Sequence, residues 1–218
     1  DFDGDEKAEL VFWNQSERSL FLAEIPENPG ETEPWKYKAI YEYQAEESVP
    51  QIGTYPGWKG ANEHEGLAKA DIDGDGVEDI VGGGYWFKYE GESKFTPNPI
   101  DESYHFTRSA AGQLIKGGRP EVVLVVGDGT APLNMYEWKD NEWVVHSLID
   151  TVIDGHSIDI IDFDGDGNLD IYNAEMRLSN ENPVTRILLG DGEGKFETLE
   201  LFEGFGQHES RIADLDGD

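Results

Sequence analysis

The stretch "ADIDGDGVEDIVGGGYWF", residues 70–87, sets four aspartates and two glycines within nine positions and then turns apolar. Carboxylates so spaced repel one another unless a positive charge sits among them. Asp71, Asp73, Asp75 and Asp79 fall at positions 1, 3, 5 and 9 of the run, and the carbonyl of Val77 falls at position 7. Hard oxygen donors on a tight loop suit Ca²⁺, which takes about six to eight oxygens at about 2.3–2.6 Å. Gly74 and Gly76 allow the positive φ that such a curl requires.

The pattern recurs along the chain. "DFDGDEKAE" offers Asp1, Asp3, Asp5, the carbonyl of Lys7 and Glu9; "DFDGDGNLD" offers Asp162, Asp164, Asp166, the carbonyl of Asn168 and Asp170; "DLDGD" offers Asp214, Asp216 and Asp218. An EF-hand would place a bidentate Glu at position 12 between helices. Here position 12 is Gly82 or Asn173, and the flanks read as strands. A degenerate copy, "GQLIKGGRPEVV" at 112–123, keeps the turn and the apolar run without the acids. Lys116 stands there where the third aspartate would be, so its ammonium is expected to do locally what a cation does elsewhere.

A histidine precedes each turn by six or seven residues: His64, His105, His156 and His208. The repeating unit is therefore about 40 to 50 residues long, in the range of repeat architectures. Within a unit the apolar and β-branched runs alternate with Gly, Asp and Asn turns, as in "NMYEWKDNEWVVHSLI" and "RILLGDGEGKFETLEL". The expected fold is all-β, a β-propeller of four-stranded blades. The 218 residues read as one incomplete propeller domain, with blades at about 1–62, 63–104, 105–155, 156–207 and the start of another at 208–218. About four blades are present, and about seven or eight are expected in a full protein.

Composition narrows the functional classes. With 47 acidic against 16 basic residues the net charge is −31, which disfavours nucleic acid and anionic membranes and favours cation binding. Six Trp, nine Tyr and ten Phe supply a core, and no apolar run reaches the roughly 20 residues of a membrane span. There is no cysteine to report the redox compartment. The surplus acidity fits a saline or calcium-rich exterior, with any leader lying upstream of Asp1.

The motifs "HEGLAKADIDGDGVEDIVGGGYWF", "GHSIDIIDFDGDGNLDIYNAEM", "GDGEGKFE" and "QHESRIADLDGD" resemble the FG-GAP or VCBS repeat, the calcium-bearing blade of integrin α-subunit propellers and of many secreted bacterial proteins. The resemblance implies an extracellular, calcium-binding module whose partner is a glycan or a protein. Relatives of this type include adhesion scaffolds, lectins and lyases of uronic-acid polymers, and fold analogy does not choose among them. The chain departs from the pattern by carrying His where the FG element would stand.

In such a fold the histidines enter the first strand of each blade, on the face opposite the acidic turns. His64, His105, His156 and His208 would form a ring there, with Tyr104, Arg108 and Arg211 beside them. Tyr55 and Trp58, in the irregular segment 42–63, would overhang the same face. Arg could pair with a uronate, His or Tyr could move a proton, and aromatic rings could stack on sugars. The plainer reading makes each His a structural marker of its repeat. "GDGEGKF" lacks the ending of a phosphate loop and reads as a hairpin turn.

Overall fold

The computed structural model describes residues 7–30, 34–43, 64–104 and 106–213. Asp1, Asp3, Asp5, Tyr55, Trp58, His105, Asp214, Asp216 and Asp218 lie outside the described residues. Every regular element described is a strand. The first sheet joins β1 (Glu9–Asn14), β2 (Ser19–Glu24) and β3 (Tyr37–Glu42). The second joins β4 (Ala68–Ala70), β5 (Asp79–Gly82), β6 (Tyr85–Tyr89) and β7 (Phe95–Pro99). The third joins β8 (Thr107–Gly112), β9 (Glu121–Val126), β10 (Thr130–Lys139) and β11 (Glu142–Ile153). The fourth joins β12 (Ser157–Ile161), β13 (Asp170–Ala174), β14 (Val184–Gly190) and β15 (Phe196–Glu203). Each is an antiparallel meander in chain order. The expectation of an all-β chain holds.

The sheets pack face to face, and β9 shows why its sequence is apolar without alternation. All six residues of "EVVLVV" are buried. Val122, Leu124 and Val126 face Ile72, Val81 and Trp86 of the second sheet, while Val123 and Val125 join Ile158, Ile171 and Leu188 of the fourth. A strand covered on both faces needs apolar side chains at every position. Leu20, Trp13 and Tyr41 make the corresponding layer between the first sheet and Ile80 and Phe87 of the second.

The first strands β4, β8 and β12 lie side by side. His64 bridges Thr107 in parallel orientation, and the backbone N–H groups of Glu65 and Gly66 both donate to the Thr107 carbonyl. A Cβ on Gly66 would come within 2.6 Å of the Arg108 Cα, so only glycine permits this approach. The acidic turns follow the C-terminal ends of β4 and β12, and residues 64–66, 104, 106–108 and 156 sit at the opposite end. The run "SRIA" at 210–213, where the next blade was expected to start, is not a strand. Among the described residues it has no ladder partner, although Ile212 packs near Tyr172 and Ile187.

Candidate functional site

At one end, the turns 71–79 and 162–170 fold alike. The Asp71 carboxylate accepts the backbone N–H groups of Gly74, Asp75 and Gly76, and Asp162 accepts those of Gly165 and Gly167. Gly74, Gly76, Gly165 and Gly167 all have φ between 76° and 90°, which turns these N–H groups inward. The last aspartate closes each turn. Asp79 accepts from Ile72 N and Tyr89 N at 3.1 Å each, and Asp170 accepts from Phe163 N at 2.7 Å and Gly190 N at 2.8 Å. Both are 1% exposed. Burial pushes the Asp79 carboxyl up to about 6, against the pull of its two backbone hydrogen bonds.

Three carboxylates converge in each turn: Asp71, Asp73 and Asp79 in one, Asp162, Asp164 and Asp170 in the other, with one oxygen of each within 4.8 Å of the others. Asp73 Oδ1 and Asn168 Oδ1 are buried without a hydrogen-bond partner. Convergent oxygens with a buried orphan acceptor suit a hard divalent cation. Position 5 points elsewhere. Asp75 accepts from Val77 N and from Lys88 Nζ, and Asp166 accepts from the backbone and side-chain nitrogens of Asn168. Lys88 also contacts Asp73. Its hydrogen bond holds the Asp75 carboxyl below the usual range. Of the first copy, Lys7 is exposed, and Glu9 opens β1 at the place Asp79 holds in β5.

The degenerate third turn corrects the expectation that its acids are lost. Glu121 opens β9 as Asp79 opens β5, is 2% exposed, and accepts the Ile115 N–H at 2.8 Å. Burial raises its carboxyl to about 7. Among the described residues Lys116 makes no ion pair. Its backbone N–H donates to the Gly192 carbonyl, and its Nζ lies 3.1 Å from where a Gly192 Cβ would be, so it reaches the hairpin of the fourth sheet.

At the other end the candidate ring residues differ in kind. His64 is 2% exposed, between Trp13 and Tyr43 at ring-centroid distances of 5.0 and 4.9 Å. Tyr104 is a core residue whose hydroxyl donates to the Pro132 carbonyl at 3.0 Å, and burial raises its phenol. Both side chains are thus packed in the interior rather than presented at the surface. Arg108 and His156 do come together. Arg108 Nη2 lies 2.7 Å from His156 Nδ1 and 3.0 Å from Nε2, and since a guanidinium only donates, the ring nitrogen it bonds is an acceptor. Glu65 Oε2 is 3.1 Å from that Nε2 and 3.3 Å from Arg108 Nη2, close enough for charge attraction though off hydrogen-bond alignment. Burial works to raise Glu65, but His156 and Arg108 hold it below the usual carboxylate range. Glu209 pairs with Arg108 Nη1 at 3.2 Å, His208 stacks on His156 at 4.4 Å, and exposed Arg211 pairs with Glu209 at 3.3 Å.

Glu65, Asp128 and His156 also bring ligand atoms within 4.8 Å of one another. The Arg108 guanidinium already supplies positive charge there. Asp128 stays the strained member: burial and the charge of Glu65 raise its carboxyl, and its Oδ1 has no hydrogen-bond partner. Trp13, Gln15, His64, Arg108, His208 and Arg211 line a groove of about 790 Å³ over this network.

Sequence reasoning missed Glu65, Asp128, Glu209, Glu121 and Lys88. One signal was present: the dipeptide His-Glu stands at both 64–65 and 208–209, and both glutamates reach Arg108. No family model, curated protein or solved structure matches the chain.

Proposed function

We propose that the chain is part of a secreted, propeller-type binding module. Its acidic turns hold Ca²⁺, and its ligand, a glycan, lies in the groove at the opposite end of the sheets. Four meanders stacked face to face, with β4, β8 and β12, the first strands of three of them, adjacent, support blades around an axis. The FG-GAP or VCBS resemblance of the turns supports the cation and the extracellular setting. Asp71, Asp73 and Asp79, and Asp162, Asp164 and Asp170, would hold the ion, which supplies positive charge and cross-links the turn to the second strand.

The groove carries the binding reading. It combines an aromatic face at Trp13 with hydrogen-bonding groups at Asn14, Gln15 and His208 and a charge at Arg211, the mixture that sugar rings and hydroxyls require. Lyase chemistry on a uronate is the second reading, favoured by Arg108 and Arg211 on one groove. Arg108 Nη2 lies within hydrogen-bond distance of both His156 ring nitrogens, so that reading leaves exposed His208 to take the proton. Retention on immobilised neutral and uronic-acid polysaccharides, assayed together with release of unsaturated product, tests both. Retention that falls on Arg211→Ala without product supports binding; product supports the lyase; no retention on any glycan leaves a protein-binding or purely adhesive scaffold.

A further inference from the structure

The two complete acidic turns carry different counter-charges. In the second sheet Ile80 pairs with Phe87, and the next residue, Lys88, sends its ammonium into the turn to contact Asp73 and, at 2.6 Å, Asp75. Ladder register gives the same position in the other sheets. Ile171 pairs with Leu188 and Leu189 follows; Val122 pairs with Tyr136 and Glu137 follows; Leu10 pairs with Ala23 and Glu24 follows. Only the second sheet places a cation there. Glu78 of the same turn pairs with Lys69 at 2.6 Å, so the turn has two lysines against its acids. Among the described residues no lysine or arginine pairs with Asp162, Asp164, Asp166 or Asp170.

We propose that Lys88 is a built-in counter-ion that competes with a divalent cation for the turn 71–79, so that the turn 162–170 is the tighter cation site. The inference rests on the calcium reading above and adds an order of affinity to it. Asp73 is the point of competition, since it both belongs to the converging triad and contacts the ammonium. A cation entering the turn must displace Lys88 from Asp73 and lose part of the field of Asp75. Ammonium and Ca²⁺ differ in what they can satisfy: lysine offers three donors to a few oxygens, whereas Ca²⁺ gathers about six to eight. Lys88 therefore holds the turn folded when calcium is scarce and yields when it is abundant. The turn 162–170, with Leu189 at the corresponding position, has no ion-paired lysine to stand in for the cation.

The test is calcium titration by calorimetry on the full chain stripped with chelator, comparing wild type with Lys88→Met, Lys88→Gln, Asp73→Asn, Asp164→Asn and Lys88→Met/Asp73→Asn. The expected results are that Asp164→Asn removes the tightest step, that Lys88→Met tightens a weaker step by about tenfold, or about 1.4 kcal/mol, and that adding Asp73→Asn abolishes this gain. In chelator Lys88→Met melts below wild type, and calcium erases the difference. Lys88→Gln, which keeps a donor without the charge, reports the same competition if the methionine variant does not fold. Lys88 variants that titrate like wild type, while Asp73→Asn or Asp164→Asn loses a step, overturn the inference and leave the calcium reading standing. No step from either turn removes both.

Discussion

Asp79 and Asp170 occupy the same place in two different sheets: each, almost wholly buried, ties its turn to the third strand through a backbone N–H, from Tyr89 in one case and Gly190 in the other. The same carboxylate also accepts the N–H seven residues earlier, from Ile72 or Phe163. The acidic turn is thus a clamp between strands as well as the proposed cation cradle.

Asp170→Ala therefore leaves two backbone donors without their acceptor. Each such loss costs about 1–3 kcal/mol when the donor is buried, so urea unfolding should show a loss of about 2–6 kcal/mol. Asp170→Asn keeps one acceptor and is expected to lose about half as much.

Glu121 gives the third turn a pH dependence. Its carboxyl lies at about 7 when folded, above the ordinary value of 4.5, because burial disfavours its charge. A raised folded pKa contributes stability that is complete below about 4.5 and disappears as pH rises through about 7. Wild type should thus lose on the order of 2–3 kcal/mol relative to Glu121→Gln between pH 4.5 and pH 8. The comparison with the glutamine variant isolates this group from the repulsion of the other acids.

Position in the stack decides what an apolar truncation costs. Leu124→Ala in the doubly covered β9 should lose about 2–5 kcal/mol. Leu201, 40% exposed on β15, should lose under about 1 kcal/mol on the same change, measured by the same denaturant titration.

Arg108→Met strips a positive charge from Glu65, Glu209 and His156 at once. Removing one partner from such a network is expected to cost about 2–4 kcal/mol. In a double-mutant cycle Glu65→Gln should recover part of it, with a coupling of about 1 kcal/mol or more. Additive single effects would mean that the network is only spatial.

Much of the fold was legible because the repeat states it several times. Acidic turns, apolar second strands and turn-rich hairpins recur, and β9 announces two covered faces by its unbroken apolar run. The site was legible only in part. His64 and His156 look equivalent in sequence, yet one is boxed by Trp13 and Tyr43 and the other engages Arg108, a difference created by neighbours far along the chain. Lys88 and Asp128 carry no local motif. Their roles arise from strand register and from the adjacency of β4, β8 and β12, which pairwise spacing does not encode. Glu121 was hidden for a simpler reason: Gly112 pairs with Glu121 as Ala70 pairs with Asp79, so a turn counted from Gly112 runs one residue out of step, and its acid is a glutamate.

Thermal unfolding in excess calcium and in excess chelator bears most directly on the proposal that oxygen cages around cations brace the stacked sheets. Ligand at about 100 times its Kd adds about 2.7 kcal/mol per site, and each kcal/mol moves the midpoint by about 2–4 °C for a chain of this size. Calcium should raise the midpoint by about 10 °C or more, and by clearly less in Asp164→Asn. An identical midpoint in calcium and in chelator contradicts cation bracing, and with it the calcium-holding part of the proposed function.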